Sequence, residues 1–344
     1  MMEEVINELS KYASITGIEG NHIRCIFYDN PEEAFLKLDK TLRGSGIYYR
    51  VKELEEQFEL EFMHIEKPKH NYPLHLTLFL LTVLSTLFVG TIQRGFNPLR
   101  DPAKLIYGIP FSLTLLLILG IHEMGHFLAS KKNGIFATLP YFIPFPHPLI
   151  GTMGAFIKIK APITNRRTLM EIGIAGPISG FIVAIPLTLI GLKLSQVVEA
   201  VPGPERLALG NSIIFSTLLR IAKGPLPEGY TVLLHPMAFA GWLGLFVTAL
   251  NLLPVGQLDG GHIMYSLLSS KFKYVSRVFW LMLVPLGLLW PGWWFWGLLL
   301  AVMGLRHPEP LNNYIKLSLK HKIFGAVATV LLLLTFVPSP FSVK

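Results

Sequence analysis

Cysteine is nearly absent from the sequence, which has Cys25 alone among 344 residues. A single thiol excludes an internal disulfide and excludes a zinc site built from several thiolates. Charge is scarce as well, because Asp, Glu, Lys and Arg supply 15% of the residues, whereas a soluble domain has about 25%. These shortages exclude a wholly soluble protein.

Long apolar runs take the place of charge. Hydrophobic residues make up 51% of the chain, and runs of about 20 such residues are typical of membrane spans. The pattern predicts an α-helical polytopic membrane protein with about six to seven spans. The runs lie near residues 74–92, 105–130, 169–192, 237–256, 276–290, 293–305 and 322–337.

The net charge of +8 is concentrated in loops beside the apolar runs. This distribution fits the positive-inside rule better than nucleic-acid binding, so we expect no nucleic-acid partner. With seven spans, the basic groups share one side of the membrane, which we expect to be cytoplasmic, and in a prokaryote the membrane is the cell membrane. These groups are Lys131 and Lys132; Lys158, Lys160, Arg166 and Arg167; Lys271, Lys273 and Arg277; and Arg306, Lys316, Lys320 and Lys322.

The N-terminal stretch is polar and predicts a separate unit. Residues 1–66 are expected to form a small cytoplasmic α+β domain, followed by a linker at 67–73 and a transmembrane domain at 74–344. Alternation in "HIRCIFYD", "YYRVKELE" and "QFELEFMHIE" predicts strands, and Asn30 or Asp29 is the expected N-cap of a helix between them. The domain has no metal or nucleotide motif, so we expect a regulatory or docking role.

The stretch "HEMGH" ends an uncharged apolar run from Phe111 to Ile121. His122 and His126 are four residues apart, so a helix projects both imidazoles from one face, where they can bind the same Zn²⁺. Glu123 can reach a water on that metal and act as general base. Ionisable groups at membrane depth are costly and point to function.

Zinc catalysis usually needs three protein ligands and an open position. Asp259 is the favoured third ligand because it places a carboxylate at the end of another apolar run. The helix is interrupted there by Pro254, Gly256, Gly260 and Gly261, which allows irregular backbone to line a polar cavity. His262 is the competing candidate. The remaining candidates are His147, His235 and Glu171.

These residues resemble the site-2 protease family, whose members pair HExxH in one span with NxxPxxxxDG in a later one. Here the motifs are "HEMGH" at 122–126 and "NLLPVGQLDG" at 251–260. The stretch "GTMGAFIKIKAPITNRRTLMEIGIAGPISGF" between them is also similar, especially to the plant plastid and prokaryotic branch without a PDZ domain. The resemblance covers roughly residues 66–305 and departs at Gln257, where many members have proline.

The resemblance implies an intramembrane zinc metalloendopeptidase. Zn²⁺ would be held by His122, His126 and Asp259, with Glu123 as the base. Such an enzyme hydrolyses peptide bonds of membrane-spanning proteins, so the implied partners are transmembrane substrates and the lipid bilayer.

Two residue groups are expected to hold substrate. Alternation from Phe156 to Lys160 predicts a short strand, and an edge strand near the zinc could hold an unwound substrate by strand addition. The alternative is a surface hairpin. Phe156, Ile157, Lys158 and Ile159 are assigned to this role. The Asn251 amide could bond the substrate backbone or the oxyanion, with the Gly260 backbone beside it; the alternative is a helix-packing asparagine.

Two other functions stay open. A membrane metal transporter would also place His, Glu and Asp in spans, but it is expected to show several ligand sets, and this chain shows one. A non-proteolytic metal-binding relative would keep the fold and lose the base or a ligand, whereas all four residues are present here.

Overall fold

The computed structural model describes residues 2–55, 57–147, 149–200 and 207–343. The chain is mostly helical, with a polar unit at its N-terminus and a larger apolar helical part. The N-terminal unit contains α1 (Met2–Leu9), β1 (Ala13–Glu19), β2 (His22–Phe27), α2 (Pro31–Thr41), β3 (Ile47–Leu54) and β4 (Gln57–His64). Its four strands pair antiparallel in the order β1-β2-β4-β3.

Helix α2 begins where the sequence predicts. The Asn30 side chain accepts a hydrogen bond from the Glu32 N–H at 3.0 Å, which satisfies one free donor of the first turn. The helix buries Phe35 and Leu38 in the same apolar cluster as Leu60 of β4. Helix α1 adds Val5 and Leu9 to the same cluster, so two helices and the sheet form this small core.

A distant segment completes that core. Ile315 is 0% exposed and packs in the same cluster as Phe35 and Leu60. The Tyr314 ring lies 5.3 Å from that of Phe58, and the Val51 N–H donates to the Leu311 carbonyl at 3.1 Å. The N-terminal unit is thus not built from residues 1–66 alone, because the segment 311–315 covers its sheet edge and fills its interior.

The helical part contains nine further helices and two 3₁₀ turns among the described residues. The helices are α3 (Tyr72–Gln93), α4 (Ile109–Lys132), α5 (Arg166–Leu194), α6 (Ile213–Lys223), α7 (Pro236–Asn251), α8 (Asp259–Leu268), α9 (Phe272–Leu289), α10 (Gly292–Met303) and α11 (Leu319–Thr335). The 3₁₀ turns are Pro102–Gly108 and Ser269–Lys271. Small two-stranded antiparallel sheets join β5 (Tyr141–Pro144) to β6 (Thr152–Phe156), β7 (Gln196–Glu199) to β9 (Tyr230–Leu233), and β8 (Leu207–Leu209) to β10 (Phe341–Val343).

Four helical stretches of the described chain are long and apolar enough to cross a membrane, so the chain is a membrane protein. They are Tyr72–Gln93, Pro102–Lys132, Arg166–Leu194 and Asp259–Leu289. The predicted six to seven spans are not confirmed. Helix α10 has 12 residues, which extend about 18 Å against about 30 Å of hydrocarbon. A span at 237–256 was predicted, but helix α7 ends at Asn251. The backbone turns between that residue and Asp259.

The strand predicted from Phe156 to Lys160 lies earlier in the chain, because β6 spans Thr152–Phe156. Regular pairing with β5 ends at Phe156, and the residues after it pair with another segment. The Thr138 N–H donates to the Lys158 carbonyl at 3.0 Å, and the Lys160 N–H donates to the Phe136 carbonyl at 2.7 Å. The predicted alternation is present, since Lys158 and Lys160 are exposed while Ile157 and Ile159 are partly buried.

The contribution of Ile315 to the N-terminal unit can be tested by Ile315→Ala. Removal of a fully buried isoleucine side chain is expected to destabilise this unit by about 2–5 kcal/mol. Limited proteolysis of the full chain in increasing urea, followed through an N-terminal tag, measures the loss. Ile18→Ala is the matched control because Ile18 is 52% exposed. Equal urea sensitivity of the two variants would show that Ile315 does not support the core.

Candidate metal centre

Three side chains from two helices meet inside the helical part. His122 and His126 lie one turn apart on α4, and Asp259 is the first residue of α8. The two Nε2 atoms are 3.2 Å apart. Asp259 Oδ2 lies 3.2 Å from His122 Nε2, and Asp259 Oδ1 lies 3.2 Å from His126 Nε2. Both histidines are buried.

These spacings fit a metal ion. A tetrahedral zinc with bonds of about 2.0–2.1 Å needs neighbouring ligand atoms about 3.3 Å apart. The His126 Nδ1–H donates to the Ile172 carbonyl at 2.8 Å, so the neutral ring turns the lone pair of its Nε2 toward His122 and Asp259. A cation among these atoms would bind all three and relieve the repulsion between the lone pairs.

Glu123 lies beside this group. Its possible ligand atom falls within 4.8 Å of those of both histidines, so Glu123 competes with Asp259 for the third position. The distances favour Asp259, because Glu123 Oε1 is 4.0 Å from His122 Nε2. Glu123 Oε2 instead accepts a hydrogen bond from the Ile157 N–H at 3.0 Å. That bond orients a carboxylate at the edge of the centre.

Small residues of α5 make room for the two imidazoles. A Cβ at Gly176 would collide with the His126 ring, and a Cβ at Gly180 would lie 3.1 Å from His122 Nδ1. On α4, a Cβ at Gly125 would lie 2.6 Å from the Ala175 carbonyl oxygen. The "GIAGPISG" stretch therefore lets α5 approach the face of α4 that carries both histidines.

The turn before α8 brings Asp259 to α4. Gly256 has φ +55°, and a Cβ there would lie 2.5 Å from the Gly304 carbonyl oxygen. A Cβ at Gly260 would collide with the Leu252 carbonyl. Glycine at both positions permits this close folding of the backbone, and Asp259 then lies at the positive end of α8, which favours a carboxylate.

The other predicted ligand candidates lie outside the centre. His262 Nδ1 is 2.6 Å from His307 Nε2, and the two rings form a separate pair. His147 stacks on Phe145, and His235 caps α7. Glu171 accepts from Asn133 and Lys320.

The residues predicted to hold substrate differ in their distance from the centre and in their exposure. Ile157 contacts Glu123 directly, whereas Lys158 and Ile159 pair with 137–138. Phe156 is exposed at the end of β6. Asn251 is the partly buried last residue of α7, and Gly260 is the buried neighbour of Asp259.

An apolar groove of about 1130 Å³ lies beside α3 and α4. It runs between α3 and α4 and ends against β5, with Phe79, Leu116 and Phe142 among its lining residues. Met124, which follows Glu123 in the sequence, also lines it. The groove therefore extends along the membrane-spanning helices to the turn of α4 that carries the centre.

The sequence did not predict the Ile172 carbonyl or the Ile157 N–H as parts of the centre. Both are backbone groups, so no residue type identifies them. The glycine spacing in "GIAGPISG" did indicate close helix packing, although it does not specify which ring each glycine faces.

Comparison with known proteins places the centre in a family context. The family model described as Peptidase family M50 matches residues 110–289, a range that contains His122, Glu123, His126 and Asp259. The chain is 31% identical over 294 residues to "Probable zinc metalloprotease EGY1, chloroplastic" of Arabidopsis thaliana, covering 78% of this chain and 53% of that protein. It is 32% identical over 276 residues to "Probable zinc metalloprotease EGY2, chloroplastic" of the same plant, covering 77% and 48%. The chain thus spans about half the length of these relatives. No solved structure gives a significant match.

The packing of α5 against the centre predicts that Gly176→Ala lowers the zinc content of the protein sharply. The added methyl group overlaps the His126 ring, so the ring must move and the donor atoms separate. Metal analysis of the purified chain should show loss of most bound Zn²⁺. Gly297→Ala is the control, because a Cβ there meets nothing closer than 3.7 Å in another helix. Wild-type zinc content in Gly176→Ala would contradict the arrangement.

Proposed function

The chain belongs to peptidase family M50, and we propose that it is an intramembrane zinc metalloprotease that hydrolyses peptide bonds of membrane-spanning proteins. The observation that carries this proposal is the meeting of two imidazoles and one carboxylate on apolar helices, in which each pair of residues places ligand atoms 3.2 Å apart. Zinc is the proposed metal because two imidazoles and one carboxylate form a ligand set typical of catalytic zinc, with a fourth position open for water or substrate.

His122, His126 and Asp259 are the proposed ligands. Zinc bound there would polarise the carbonyl of the substrate and lower the pKa of a bound water. The Ile172 carbonyl fixes the tautomer of His126 through its bond to Nδ1. Gly176 and Gly180 of α5 have no side chain, so they leave space for the two imidazole rings. Together these contacts hold the ligands before any substrate arrives.

Glu123 is the proposed general base. One of its oxygens, Oε2, accepts from the Ile157 N–H, which fixes the plane of the carboxylate. Oε1 is the oxygen that faces His122, at 4.0 Å from Nε2. This oxygen is placed to take a proton from water beside the ligands, and the carboxyl can then return the proton to the leaving amine.

Substrate is proposed to lie along β6 and the residues after it, Phe156 to Ile159. Strand β5 occupies one edge of β6, and among the described residues the other edge has no strand partner. The Ile157 N–H reaches Glu123 at the end of this strand, so a peptide added there would pass the base in extended form. Asn251 and the Gly260 backbone, on the Asp259 side, are the proposed contacts of the opposite substrate face.

The groove along α3 and α4 supports a lateral approach. Its walls are almost wholly apolar and it ends at Met124 and Phe142, so a transmembrane helix could leave lipid without exposing its side chains to water. Unwinding would then occur against the β5–β6 hairpin.

The proposed topology follows the positive charge. Lys131 and Lys132 end α4, while Arg166 and Arg167 begin α5. These ends lie beside the N-terminal unit, because Arg167 pairs with Glu32 at 2.7 Å. We therefore propose a cytoplasmic N-terminal domain at 1–66, a linker at 67–73 and a multi-pass protease domain at 74–344, with α7 and α10 as short additional spans.

A single metal group weighs against transport. In the part of the chain that the structure describes, the side chains grouped at metal-binding distance belong to one centre, formed by His122, Glu123, His126 and Asp259. A transporter would need a succession of such groups along a path.

The role of Glu123 is tested by Glu123→Gln. The variant should keep wild-type zinc content and lose about 10²–10⁴-fold in the rate of cleavage, because an amide cannot accept the proton. Cleavage of a tagged transmembrane substrate in detergent and metal analysis provide the two measurements. His122→Ala is the matched comparison, since it should lose both zinc and activity. Cleavage by Glu123→Gln near the wild-type rate would rule out the base assignment.

The substrate strand is tested by Ile157→Pro against Ile157→Val. Proline removes the N–H that bonds Glu123, and it also prevents pairing at this position. Cleavage should fall strongly in the proline variant and little in the valine variant, with zinc content unchanged in both. If Ile157→Pro cleaves like the wild type, the hairpin is a surface feature and substrate is held elsewhere.

A further inference from the structure

A second cavity lies between the N-terminal unit and the helical part. It has a volume of about 300 Å³, at the lower end of small-molecule sites. One wall comes from α2, the turn after it and β3; the other comes from the end of α4, the start of α5 and the first turn of α11. Its ionisable lining residues include Asp39, Arg43, Lys132, Arg167 and Glu171.

Some of these charges are already paired. Arg167 contacts Glu32 at 2.7 Å, and Glu171 contacts Lys320 at 3.1 Å. Each of these two ion pairs is close to neutral. The character of the cavity therefore depends on Asp39, Arg43 and Lys132.

The Asp39 carboxylate is satisfied by neutral donors. It accepts from the Tyr49 hydroxyl at 2.6 Å and from Asn165 Nδ2 at 2.8 Å. Burial raises the pKa of Asp39 above its ordinary value. Asp39 thus holds the two walls together, and its charge also acts on Arg43.

Arg43 and Lys132 are the lining cations that form no close ion pair among the described residues, although Asp39 acts on Arg43 and Glu171 acts on Lys132 from farther away. Each lines the cavity and is exposed. In the described parts of the chain, neither has a carboxylate oxygen within the 4.0 Å of an ion pair. They come from opposite walls, Arg43 just after α2 and Lys132 at the end of α4, so one anion in the mouth could contact both.

A buried histidine supplies a further donor. His321 is 6% exposed and lines the cavity. Its Nδ1 lies 2.7 Å from Ser318 Oγ, while its Nε2 has no hydrogen-bond partner among the described residues. Nε2 is 3.5 Å from Glu171 Oε1, longer than a normal hydrogen bond. With Nδ1 accepting from Ser318, Nε2 carries a proton that it can donate to a ligand.

The start of α5 adds a favourable field. Asn165, which caps this 29-residue helix, lines the cavity. The positive end of a long helix favours anions, and phosphate groups in particular. The cations, the histidine donor and the helix end therefore all favour the same charge.

We propose that this cavity binds a small phosphate-bearing anion, held by Arg43 and Lys132 at its mouth and by His321 within. The phosphate can belong to a soluble compound or to the head group of an anionic lipid, because the cavity lies at the ends of apolar helices. Lys132 ends the helix that carries His126, and Glu171 precedes Ile172. Occupancy would consequently fasten the N-terminal unit to the two helices that form the metal centre.

Inorganic phosphate is the first probe. The full chain in detergent should show a rise in the midpoint of thermal unfolding with phosphate, relative to potassium chloride of equal ionic strength. Arg43→Gln and Lys132→Gln should each raise the apparent dissociation constant about tenfold or more. Lys40→Gln and Lys131→Gln remove neighbouring charges that do not line the cavity, and they should bind as the wild type does. His321→Gln should also weaken binding.

Nanodiscs distinguish the two sources. If the ligand is soluble, phosphate stabilises the wild type in phosphatidylcholine nanodiscs, and Arg43→Gln and Lys132→Gln lose the effect. If the ligand is a lipid, phosphatidylglycerol nanodiscs stabilise the wild type relative to phosphatidylcholine, and the same two variants lose that difference. The proposal is overturned if neither phosphate nor phosphatidylglycerol stabilises the wild type. It is also overturned if Lys40→Gln and Lys131→Gln lose as much of this stabilisation as Arg43→Gln and Lys132→Gln do.

Discussion

Close contact between α4 and α5 is the constraint on which the metal centre depends. Gly176 and Gly180 allow α5 to lie directly against the imidazoles of α4, and only this approach brings the Ile172 carbonyl within 2.8 Å of His126 Nδ1. That bond determines which nitrogen of His126 faces the other ligands. Packing of small residues in an apolar environment therefore sets the tautomer of His126 as well as its position.

The rest of the arrangement balances polar groups against apolar surroundings. Asp259 reaches the histidines because the glycine turn before α8 folds the backbone back on itself, and Glu123 is held by a backbone donor from the β5–β6 hairpin. Each ionisable group of the centre has at least one directed partner. Such pairing is what makes charge tolerable at membrane depth, and it leaves the groups oriented for chemistry.

Local patterns in the sequence predicted much of this. The spacing of His122 and His126 indicated a shared helix face, Asn30 was one of two expected N-caps, and Asp259 was the favoured third ligand by its apolar context. The His262–His307 pair, the Ile157 N–H and the insertion of Ile315 into the N-terminal core were not foreseen. Each of these depends on contacts between distant segments, which no local periodicity encodes. The predicted count of six to seven spans is not confirmed, since hydropathy does not reveal where the backbone turns.

The insertion of Tyr314 and Ile315 into the N-terminal unit has a consequence for biogenesis. The Tyr314 hydroxyl donates to Glu53 across 261 residues of sequence, so the ribosome delivers the two parts of one core far apart in time. At about 5–20 residues per second the delay is roughly 13 to 52 seconds. During that interval the emerging unit exposes an apolar gap beside Phe35 and Phe58. Folding of the N-terminal unit is thereby coupled to synthesis of the helices that precede residue 311.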